Sequence, residues 1–406
     1  METALRPGID WVGAIDWNVR DFHSYATERG TTYNSYLIRD ANPAVIDCVK
    51  KPFIPEHVER IKRFIDPAKI KYLVCNHAEP DHASGLADLH ALCPSAVVVA
   101  NKKCRETLLE MREAAADWKW HIVKTGDVLD LGERKLAFVE VPLVHWPDSM
   151  VAYSPSDKLL FSNDAFGQHI ASRCRFADEY GDPNIVFHEA KLYYANIVML
   201  YAKPVEKALN ALLGVDLGMI APAHGLAWRD PGRIAGIVGM YRKWMAGETR
   251  PKVLVLYDTM WESTAQLADA ILEGADVPGV EAKSIWVRRS GLTQVAAEFI
   301  DTACAAVGSA TLNNTLMPAL AGALTYLSGF KPPHKAGFAF GSYGWALRGG
   351  AEAVEEYLRG MNFDLLRPPL KCKARPTPEA LAEARAAGGL LAGRALERGK
   401  RIESAP

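Results

Sequence analysis

The sequence predicts two main domains of different architecture: a layered α+β domain that contains antiparallel sheet, followed by an α/β domain built on a doubly wound parallel sheet. The 406 residues exceed the length of one typical domain, about 150 residues. Several β-rich runs follow one another around residues 119–162, whereas strands and helices alternate strictly after residue 249. A polar, proline-bearing segment, Glu248–Pro251, lies between the two patterns. We therefore expect domains at 1–249 and 250–375 and a helical tail at 376–406.

Short apolar runs predict the strands, and apolar residues at helical spacing predict the helices. In the first domain the predicted strands are 44–48, 72–75, 96–100, 136–141, 158–161 and 218–221, and the predicted helices are 55–65, 82–92 and 103–115. In the second domain the predicted strands 252–257, 282–287, 305–308 and 337–341 alternate with the predicted helices 263–275, 295–302, 317–327 and 351–359. The Ala-, Glu- and Arg-rich sequence from Pro376 predicts a terminal helix.

Composition excludes several classes of protein. The formal net charge of −1 argues against nucleic-acid binding, because the phosphate backbone favours basic surfaces. No apolar run approaches the roughly 18 residues that span a membrane, and the N-terminus lacks the apolar core of a secretory signal. The seven cysteines are scattered without a C-x-x-C pair, which predicts free thiols in a reducing compartment and no thiolate-bound zinc or iron. We expect a soluble, cytoplasmic protein.

Residues 75–85, C-N-H-A-E-P-D-H-A-S-G, concentrate side chains that bind metals. His77, Glu79, Asp81 and His82 fall within six positions, directly after a predicted strand. One alternative is a polar loop in which Asp81 only caps the next helix. Four metal-binding side chains in so short a segment instead favour a metal site.

Three further candidate ligands lie far apart in the sequence. His145, Asp164 and His224 each follow the end of a predicted strand. Each residue alone would be more typical of a solvated or hydrogen-bonded side chain. Their shared position just past a strand end places them, with the first motif, on one edge of the predicted fold.

Three loops of the second domain suggest a flavin site. The first, 258–264, links a predicted strand to a helix N-terminus, where hydroxyl and N–H groups bind phosphate. Neither G-x-G-x-x-G nor G-x-x-x-x-G-K-[ST] is present, so FMN is favoured over a dinucleotide or a nucleoside triphosphate. The other loops, 308–314 and 341–345, follow the third and fourth strands and offer amides and flat aromatic rings. The predicted FMN contacts are Thr259, Met260, Trp261, Glu262, Ser263, Thr264, Thr311, Leu312, Asn313, Asn314, Ser342, Tyr343, Gly344 and Trp345.

The histidine spacing resembles that of the metallo-β-lactamase fold, an αββα sandwich with the motif H-x-H-x-D-H and a distant His, Asp and His. The second histidine of the motif is replaced here by Glu79. Mixed histidine and carboxylate sites suit redox-active iron. The resemblance implies that His77, Glu79 and His145 hold one metal ion, that Asp81, His82 and His224 hold the other, and that Asp164 bridges them.

With the flavodoxin-like half added, residues 1–370 resemble the flavodiiron proteins. The motifs that carry the resemblance are H-A-E-P-D-H at 77–82, H-W-P-D-S at 145–149, N-D-A-F-G at 163–167, A-H-G at 223–225 and the three flavin loops. The resemblance implies two non-heme iron ions and FMN, with reduction of dioxygen to water, of nitric oxide to nitrous oxide, or of both. It also implies that electrons arrive from rubredoxin or a similar small carrier, which must be a separate chain because no C-x-x-C pair is present.

Residue roles beyond the ligands also follow from the resemblance. The family's histidine and tyrosine near the irons correspond to His23 and Tyr194, and a small residue of its phosphate loop corresponds to Glu262, whose side chain must then point away from the phosphate. The assembly implied is a head-to-tail homodimer or a dimer of dimers. Two other hypotheses are a binuclear zinc hydrolase with an appended flavodoxin-like domain, and an electron carrier with a vestigial first half.

Overall fold

The computed structural model of the protein describes residues 4–111, 113–346 and 348–403. These residues form two compact units. The first holds the described residues up to His23 together with Thr27–Arg242, and the second holds Ser24–Ala26 and the described residues from Lys243 onward. The predicted division at 249/250 stays a prediction. Residues 1–3 of the predicted first domain and 404–406 of the predicted tail lie outside the described residues.

The first unit contains many short strands and seven helices within the described residues. Its strands are β1 (Ala4–Arg6), β2 (Ile9–Trp11), β3 (Ala14–Asp16), β4 (Asp21–Phe22), β5 (Tyr25–Ala26, counted with the second unit), β6 (Thr31–Tyr33), β7 (Tyr36–Ile38), β8 (Ala44–Ile46), β9 (Tyr72–Val74), β10 (Val97–Ala100), β11 (Lys119–Ile122), β12 (Val128–Asp130), β13 (Lys135–Glu140), β14 (Met150–Ser154), β15 (Leu159–Asn163) and β16 (Met219–Pro222). Its helices are α1 (Ile54–Lys62), α2 (Pro80–Ala83), α3 (Leu86–Leu92), α4 (Lys102–Met111), α5 (Pro183–Tyr193), α6 (Ala202–Ala211) and α7 (Pro231–Met245).

Two mixed sheets pack face to face in this unit. One has the order β1-β2-β7-β8-β9-β10-β11, and the other has the order β12-β13-β14-β15-β16. Side chains alternate between the two faces of a strand, so Val74 and Val99 enter the core between the sheets, whereas Leu73 and Val98 pack under the outer helices. The unit is therefore layered with its hydrophobic core between two sheets, as the sequence predicts.

The predicted helix 82–92 is wrong in one respect, because the chain is broken there into α2 and α3. Gly85 lies at the break, and a Cβ atom at this position would lie 2.4 Å from Cδ1 of Ile54. The same Cβ atom would lie 2.7 Å from the backbone carbonyl oxygen of Val49, so the space at this position favours glycine. Asp81 and His82 lie on a single helical turn of their own.

The second unit is a parallel sheet covered by helices. Its remaining strands are β17 (Arg250–Asp258), β18 (Glu281–Trp286), β19 (Thr302–Ala310), β20 (Ala336–Tyr343), β21 (Asp364–Leu365) and β22 (Leu370–Lys373), and its helices are α8 (Ser263–Ala275), α9 (Leu292–Ile300), α10 (Pro318–Phe330), α11 (Gly350–Gly360) and α12 (Pro378–Glu403). The sheet order is β18-β17-β19-β20-β21, and β22 also pairs with β20. This is the 2-1-3-4-5 order of a doubly wound sheet, whose ligand site lies at the carboxyl ends of β17 and β19.

The predicted tail is the long helix α12, and it packs into the second unit. Ala387, Leu391 and Ala395 of α12 share a buried core with Leu267 and Ile271 of α8. The two helices approach closely: a Cβ atom at Gly388 would lie 2.0 Å from the carbonyl oxygen of Ile271. We therefore describe α12 as part of the second unit.

Several elements of the structure were not predicted from the sequence. They include the short N-terminal strands up to β7, helices α5 to α7, and the interrupted fifth strand formed by β21 and β22. The predicted helix 295–302 runs too far, because Thr302 already belongs to β19 and pairs with Arg250. Strands β2, β6 and β7 are buried throughout and carry no alternation, whereas α6 shows helical spacing and β22 alternates buried and exposed residues, so these two patterns were overlooked.

His57 makes the stability of the first unit depend on pH. Its Nδ1–H donates to the carbonyl oxygen of Val12 at 2.8 Å, and burial lowers its pKa to about 4. In the unfolded chain this pKa returns to about 6.5. The unfolded state therefore binds the proton first as pH falls, so the stabilisation is present above pH 6.5 and is lost between pH 6.5 and 4.

Replacing His57 with Gln is expected to remove this loss, which amounts to about 3 kcal/mol of unfolding free energy between pH 7 and pH 4. Urea titrations of the protein at a series of pH values would measure this loss of unfolding free energy. Replacing His121, which is exposed on β11, with Gln is the matched control and is expected to keep the wild-type slope. A His57→Gln slope equal to the wild-type slope would contradict this account.

Candidate metal centre and flavin site

The structure brings all seven predicted ligands together at the strand ends of the first unit. His77 follows β9, His145 lies in the loop after β13, and Asp164 follows β15 directly. Parallel pairing of β15 with β16, and a 2.7 Å hydrogen bond from the Ala223 N–H to the Asn163 carbonyl, bring the loop of His224 beside that of Asp164. Candidate ligands of both sheets thus meet at one edge.

The seven side chains form two groups. Within each group, one potential ligand atom per residue lies within 4.8 Å of all the others. The first group is His77, Glu79, His145 and Asp164; the second is Asp81, His82 and His224. Six of the seven residues are buried, and His145 is half-buried.

Asp164 stands between the two groups, with one oxygen toward each. Its Oδ2 lies 3.4 Å from Nε2 of His145 and 3.6 Å from Nε2 of His77. Its Oδ1 lies 3.1 Å from Nε2 of His82 and 3.6 Å from Nε2 of His224. Ligand atoms about 2.1 Å from a shared metal ion lie roughly 3.0–3.4 Å from each other, so one separation on each side of Asp164 matches the edge of a coordination shell and the other is slightly longer.

Hydrogen bonds behind two of the histidines fix which nitrogen faces the site. Nδ1 of His77 lies 3.1 Å from Oδ2 of Asp148, and Nδ1 of His224 donates to the carbonyl oxygen of Thr32 at 2.7 Å. With the proton on Nδ1, Nε2 presents a lone pair. That lone pair lies 3.1 Å from Oε2 of Glu79 in the first case and 3.1 Å from Oδ2 of Asp81 in the second. Nitrogen and oxygen lone pairs that converge at this distance are the arrangement that a bound metal ion uses.

Buried carboxylate oxygens without a hydrogen-bond partner also favour bound cations. Both oxygens of Asp81 and Oδ2 of Asp164 are buried and accept no hydrogen bond from the described residues. Burying an ionised carboxylate without a partner is very costly. Three carboxylates carry a charge of −3 here, and two divalent ions carry +4. The residues therefore fit a pair of metal ions held by histidine and carboxylate.

The carboxylates control the protonation of the imidazoles. Burial opposes the charged form of His82, but the negative charges of Asp81 and Asp164 raise its pKa to about 10. Burial also opposes the charged form of His145, and the neighbouring carboxylates of Asp164 and Glu79 raise its pKa to about 9. Against the same burial, the histidines hold the pKa of Asp164 well below its usual range. The carboxylates therefore stay ionised and attract cations at neutral pH.

Two residues were predicted near the metals. His23 lies at the site, whereas the side chain of Tyr194 points away from it. Nε2 of His23 lies 3.0 Å from Oε1 of Glu79. The ring of Tyr193, by contrast, lies 6.1 Å from the His224 ring at a tilt of 42°, and burial and the charge of Asp164 raise its pKa well above the usual value. Tyr194 instead contacts Tyr241, and burial alone raises its pKa. Adjacent helical residues point about 100° apart, so only one of the two faces the carboxylates.

Several residues around the metal site were not predicted. Asp148 belongs to the H-W-P-D-S motif, and its position three residues after a candidate histidine was the available signal. His169, whose Nδ1 lies 2.7 Å from Oγ1 of Thr31, packs with its ring 4.9 Å from that of His224. Thr32 contributes through its backbone carbonyl, for which a sequence carries no signal.

In the second unit, the three predicted loops surround one open cavity of about 980 Å³. Eleven of the fourteen predicted flavin contacts line it: Met260, Trp261, Glu262, Ser263, Thr311, Asn313, Asn314, Ser342, Tyr343, Gly344 and Trp345. Thr259, Thr264 and Leu312 do not line it. The lining residues that were missed are Ala310, Ala346, Ala374 and Arg375, of which the last two follow β22.

The loop between β17 and α8 is built to receive an anion. Oδ1 of Asp258 accepts the backbone N–H of Thr259 at 2.8 Å and the Nε–H of Arg288 at 2.6 Å, which anchors the start of the loop. The hydroxyl of Thr259 is buried, and no described residue is its hydrogen-bond partner. A buried hydroxyl next to a helix N-terminus is the arrangement expected at a phosphate site. The residues therefore fit a flavin phosphate.

The cavity walls carry flat aromatic rings and three residues with positive φ, Glu262, Asn313 and Asn314. Trp261 is 87% exposed and Trp345 is 95% exposed, so both rings are available to a planar ligand. Glu262 has φ of 66°, in the left-handed region that glycine adopts most easily. Glu262 occupies the N-cap position of α8 without a side-chain cap hydrogen bond, so its backbone, not its carboxylate, shapes the loop.

Comparison with known proteins gives matches along most of the chain. A family model described as "ODP family beta lactamase" matches residues 31–225, and one described as "Flavodoxin" matches residues 255–388. A nitric oxide reductase of Moorella thermoacetica is 42% identical over 372 residues, which cover 90% of this chain and 92% of the relative. An anaerobic nitric oxide reductase flavorubredoxin of Escherichia coli is 39% identical over 97% of this chain and 82% of its own length.

Solved structures agree with these relatives. The flavodiiron protein from Giardia intestinalis superposes with a TM-score of 0.95 at 40% identity, covering 99% of this chain and 98% of that one. The rubredoxin oxygen:oxidoreductase of Desulfovibrio gigas superposes with a TM-score of 0.94 at 36% identity, covering 98% and 99%. The predicted order of a metallo-β-lactamase-like domain and a flavodoxin domain is confirmed, and the relatives are oxidoreductases rather than hydrolases. The chain belongs to the flavodiiron proteins, oxidoreductases whose cofactors are FMN and a non-heme diiron centre.

Proposed function

We propose that this protein reduces dioxygen to water, nitric oxide to nitrous oxide, or both, with electrons passed through FMN to the diiron site. The observation that supports it best is Asp164, whose two oxygens face two separate groups of histidines and carboxylates. Relatives named as a nitric oxide reductase and as a rubredoxin oxygen:oxidoreductase support the two substrates equally.

The ligand roles proposed are those that the geometry favours. His77, Glu79 and His145 would hold one iron, Asp81, His82 and His224 the other, and Asp164 both. When bound, two ferrous ions and reduced FMN supply four electrons in total, enough for dioxygen and more than the two that a pair of nitric oxide molecules requires. Asp148 and the carbonyl oxygen of Thr32 orient His77 and His224 as positioning groups.

Either reduction also consumes protons, which the chain must deliver to a buried site. His23 is suited to this, because its side chain is 65% exposed while its Nε2 contacts Oε1 of Glu79. Tyr193 keeps its hydroxyl proton, since burial and the neighbouring carboxylates raise its pKa. We propose that Tyr193, in place of Tyr194, donates a hydrogen bond into the site.

In the second unit, the loop 259–264 would bind the FMN phosphate, and the loops 311–314 and 342–345 would contact the ring system. Thr259 contributes its buried hydroxyl, and Tyr343 and Trp345 cover the ring. Arg375, which also lines the cavity, adds a positive charge.

The surroundings of the protein are also proposals. We propose a reducing, cytoplasmic location, since Cys75 and Cys104 are free thiols although their sulfur atoms lie 3.6 Å apart. Among the described residues, no helix has the length and hydrophobicity required to cross a bilayer. The proposed donor is a separate rubredoxin-like carrier, and the proposed assembly is a head-to-tail homodimer or a dimer of dimers.

The function is tested by anaerobic stopped-flow spectroscopy of the photoreduced protein mixed with dioxygen or with nitric oxide. At least one gas is expected to reoxidise the flavin rapidly, with water or nitrous oxide as product. Metal and flavin analysis is expected to give two irons and one FMN per chain. Slow reoxidation by both gases would contradict the proposal, as would zinc in place of iron.

The Glu79→Ala variant is expected to lose iron and to lower gas reduction by at least about 100-fold, because a buried ligand and its charge are removed. FMN content should stay at one per chain, since the flavin loops lie in the second unit. Iron analysis, flavin absorbance and turnover measure the three outcomes. Glu133→Ala, an exposed site in the first unit, is the control and should behave as wild type.

The Thr259→Val variant is expected to weaken FMN binding about tenfold or more, because the hydrogen bond from a buried hydroxyl to a charged phosphate is lost. Fluorescence titration of the apoprotein with FMN measures the dissociation constant. Thr302→Val is the matched control: its hydroxyl donates to the Glu298 carbonyl at 2.6 Å, so stability should fall while FMN affinity is kept. Equal FMN affinity in wild type and Thr259→Val would exclude the phosphate role.

A further inference from the structure

An apolar cavity of about 220 Å³ lies in the first unit, apart from the predicted ligands. It is formed between the second sheet and helices α6 and α7. Strands β13 to β15 contribute Val139, Val151 and Leu160 to its wall. Helix α6 contributes Val205 and Ala208, and α7 contributes the ring of Tyr241.

The cavity wall offers almost no hydrogen-bonding capacity. Its polar side chains satisfy one another or the backbone: the hydroxyl of Ser162 donates to the carbonyl oxygen of Ala165 at 2.7 Å, and that of Tyr153 donates to the carbonyl oxygen of Asp216 at 2.7 Å. The hydroxyl of Tyr241 accepts the backbone N–H of Phe166 at 2.8 Å. A water molecule needs two to four polar partners, so this space favours apolar occupants.

The cavity has an outer and an inner end. At the outer end Ala211 is exposed, and Leu212 and Val215 are half-buried. At the inner end Phe166 and Tyr241 are almost fully buried. Small molecules can therefore enter from solvent and reach the interior of the unit.

The inner wall is formed by the same loops that carry two candidate metal ligands. Val144 immediately precedes His145, and Ala165 and Phe166 immediately follow Asp164. The cavity therefore lies against the two loops that carry His145 and Asp164.

We propose that this cavity binds an apolar diatomic gas, dioxygen or nitric oxide, and admits it toward the metal centre. Both gases are small, uncharged and more soluble in hydrocarbon than in water, so an apolar cavity raises their local concentration beside the ligand loops. Gas binding follows from the cavity alone, whereas delivery of gas to the metal centre rests on the proposed gas reduction. The predicted ligand class excludes charged substrates and water.

Xenon is the probe for the binding site, because it is apolar, comparable in size and unreactive. Crystals or solutions of the full-length protein under xenon pressure are expected to show one xenon atom among Leu160, Val205 and Phe166, by anomalous scattering or by ¹²⁹Xe chemical-shift titration. An unoccupied cavity under xenon pressure would overturn the proposal, whatever the catalytic activity.

Ala208→Phe tests delivery by filling the cavity from α6. It should abolish xenon binding and lower the second-order rate constant for gas reoxidation about threefold or more, with iron and FMN content unchanged. Asn210→Phe, exposed on the same helix and outside the lining, is the control and should change neither. Val205→Thr is a second variant that keeps the shape and adds a hydroxyl; it should weaken xenon binding without blocking the space.

The outcomes separate this proposal from the proposed function. Loss of xenon binding in Ala208→Phe with an unchanged rate constant would overturn delivery through the cavity. If the wild-type protein reduces neither gas, the proposed function and gas delivery both fail, and xenon occupancy alone then decides the apolar site. If Val205→Thr binds xenon as tightly as wild type, the apolar wall is not what attracts the ligand, and the proposal is wrong.

Discussion

Three buried carboxylates, Glu79, Asp81 and Asp164, set the constraint around which the first unit is organised. Their charges lie where water does not reach, and several of their oxygens accept no hydrogen bond from the described residues. Such a cluster is tolerable only if positive charge lies among the oxygens. Metal ions would supply this charge, and the histidines turn imidazole lone pairs inward to bind them. Asp148 and Thr32 hold two of the histidines in that orientation from behind. Folding and cofactor binding are therefore coupled in this unit, because metal ions complete the charge balance.

Both units place their binding groups at strand ends, although their folds differ. In each, a strand ends, the chain turns, and polar groups collect where a buried scaffold meets an accessible loop. The first unit places carboxylates and histidines there, which attract cations. The second places hydroxyls, backbone N–H groups and a helix N-terminus there, which attract a phosphate. The flat rings of Trp261 and Trp345 then leave an apolar surface open beside the phosphate loop, the combination that a flavin requires. One chain thus combines residues that fit two metal ions with a cavity that fits a flavin.

Much of this could be predicted because the chemistry is concentrated in short motifs. Helix α8 was predicted with its observed bounds, and β9 and β16 were predicted within one or two residues, since apolar runs with polar boundaries mark them clearly. The family resemblance followed from ligand spacing and is confirmed by relatives at about 40% identity. The tight space at Gly85, where the helix is broken, was not visible, because it is formed by Ile54 and the Val49 carbonyl oxygen from a distant part of the sequence. Which of Tyr193 and Tyr194 faces the metal site was not visible for a similar reason: a shift of one residue along a helix turns the side chain by about 100°, and local sequence does not fix that orientation.

The sequence by itself determined which side chains supply the chemistry: histidine and carboxylate instead of thiolate, and hydroxyl-bearing loops at the strand ends of a doubly wound sheet. Those are properties of residue type and spacing along the chain. Only the tertiary structure decided that Asp164 turns one oxygen toward each histidine group, that Asp148 stands behind His77, and that an apolar cavity lies against the loops of His145 and Asp164. These features join residues separated by up to about a hundred positions, and their distances are set by the packing of two sheets and their helices, which no local pattern encodes.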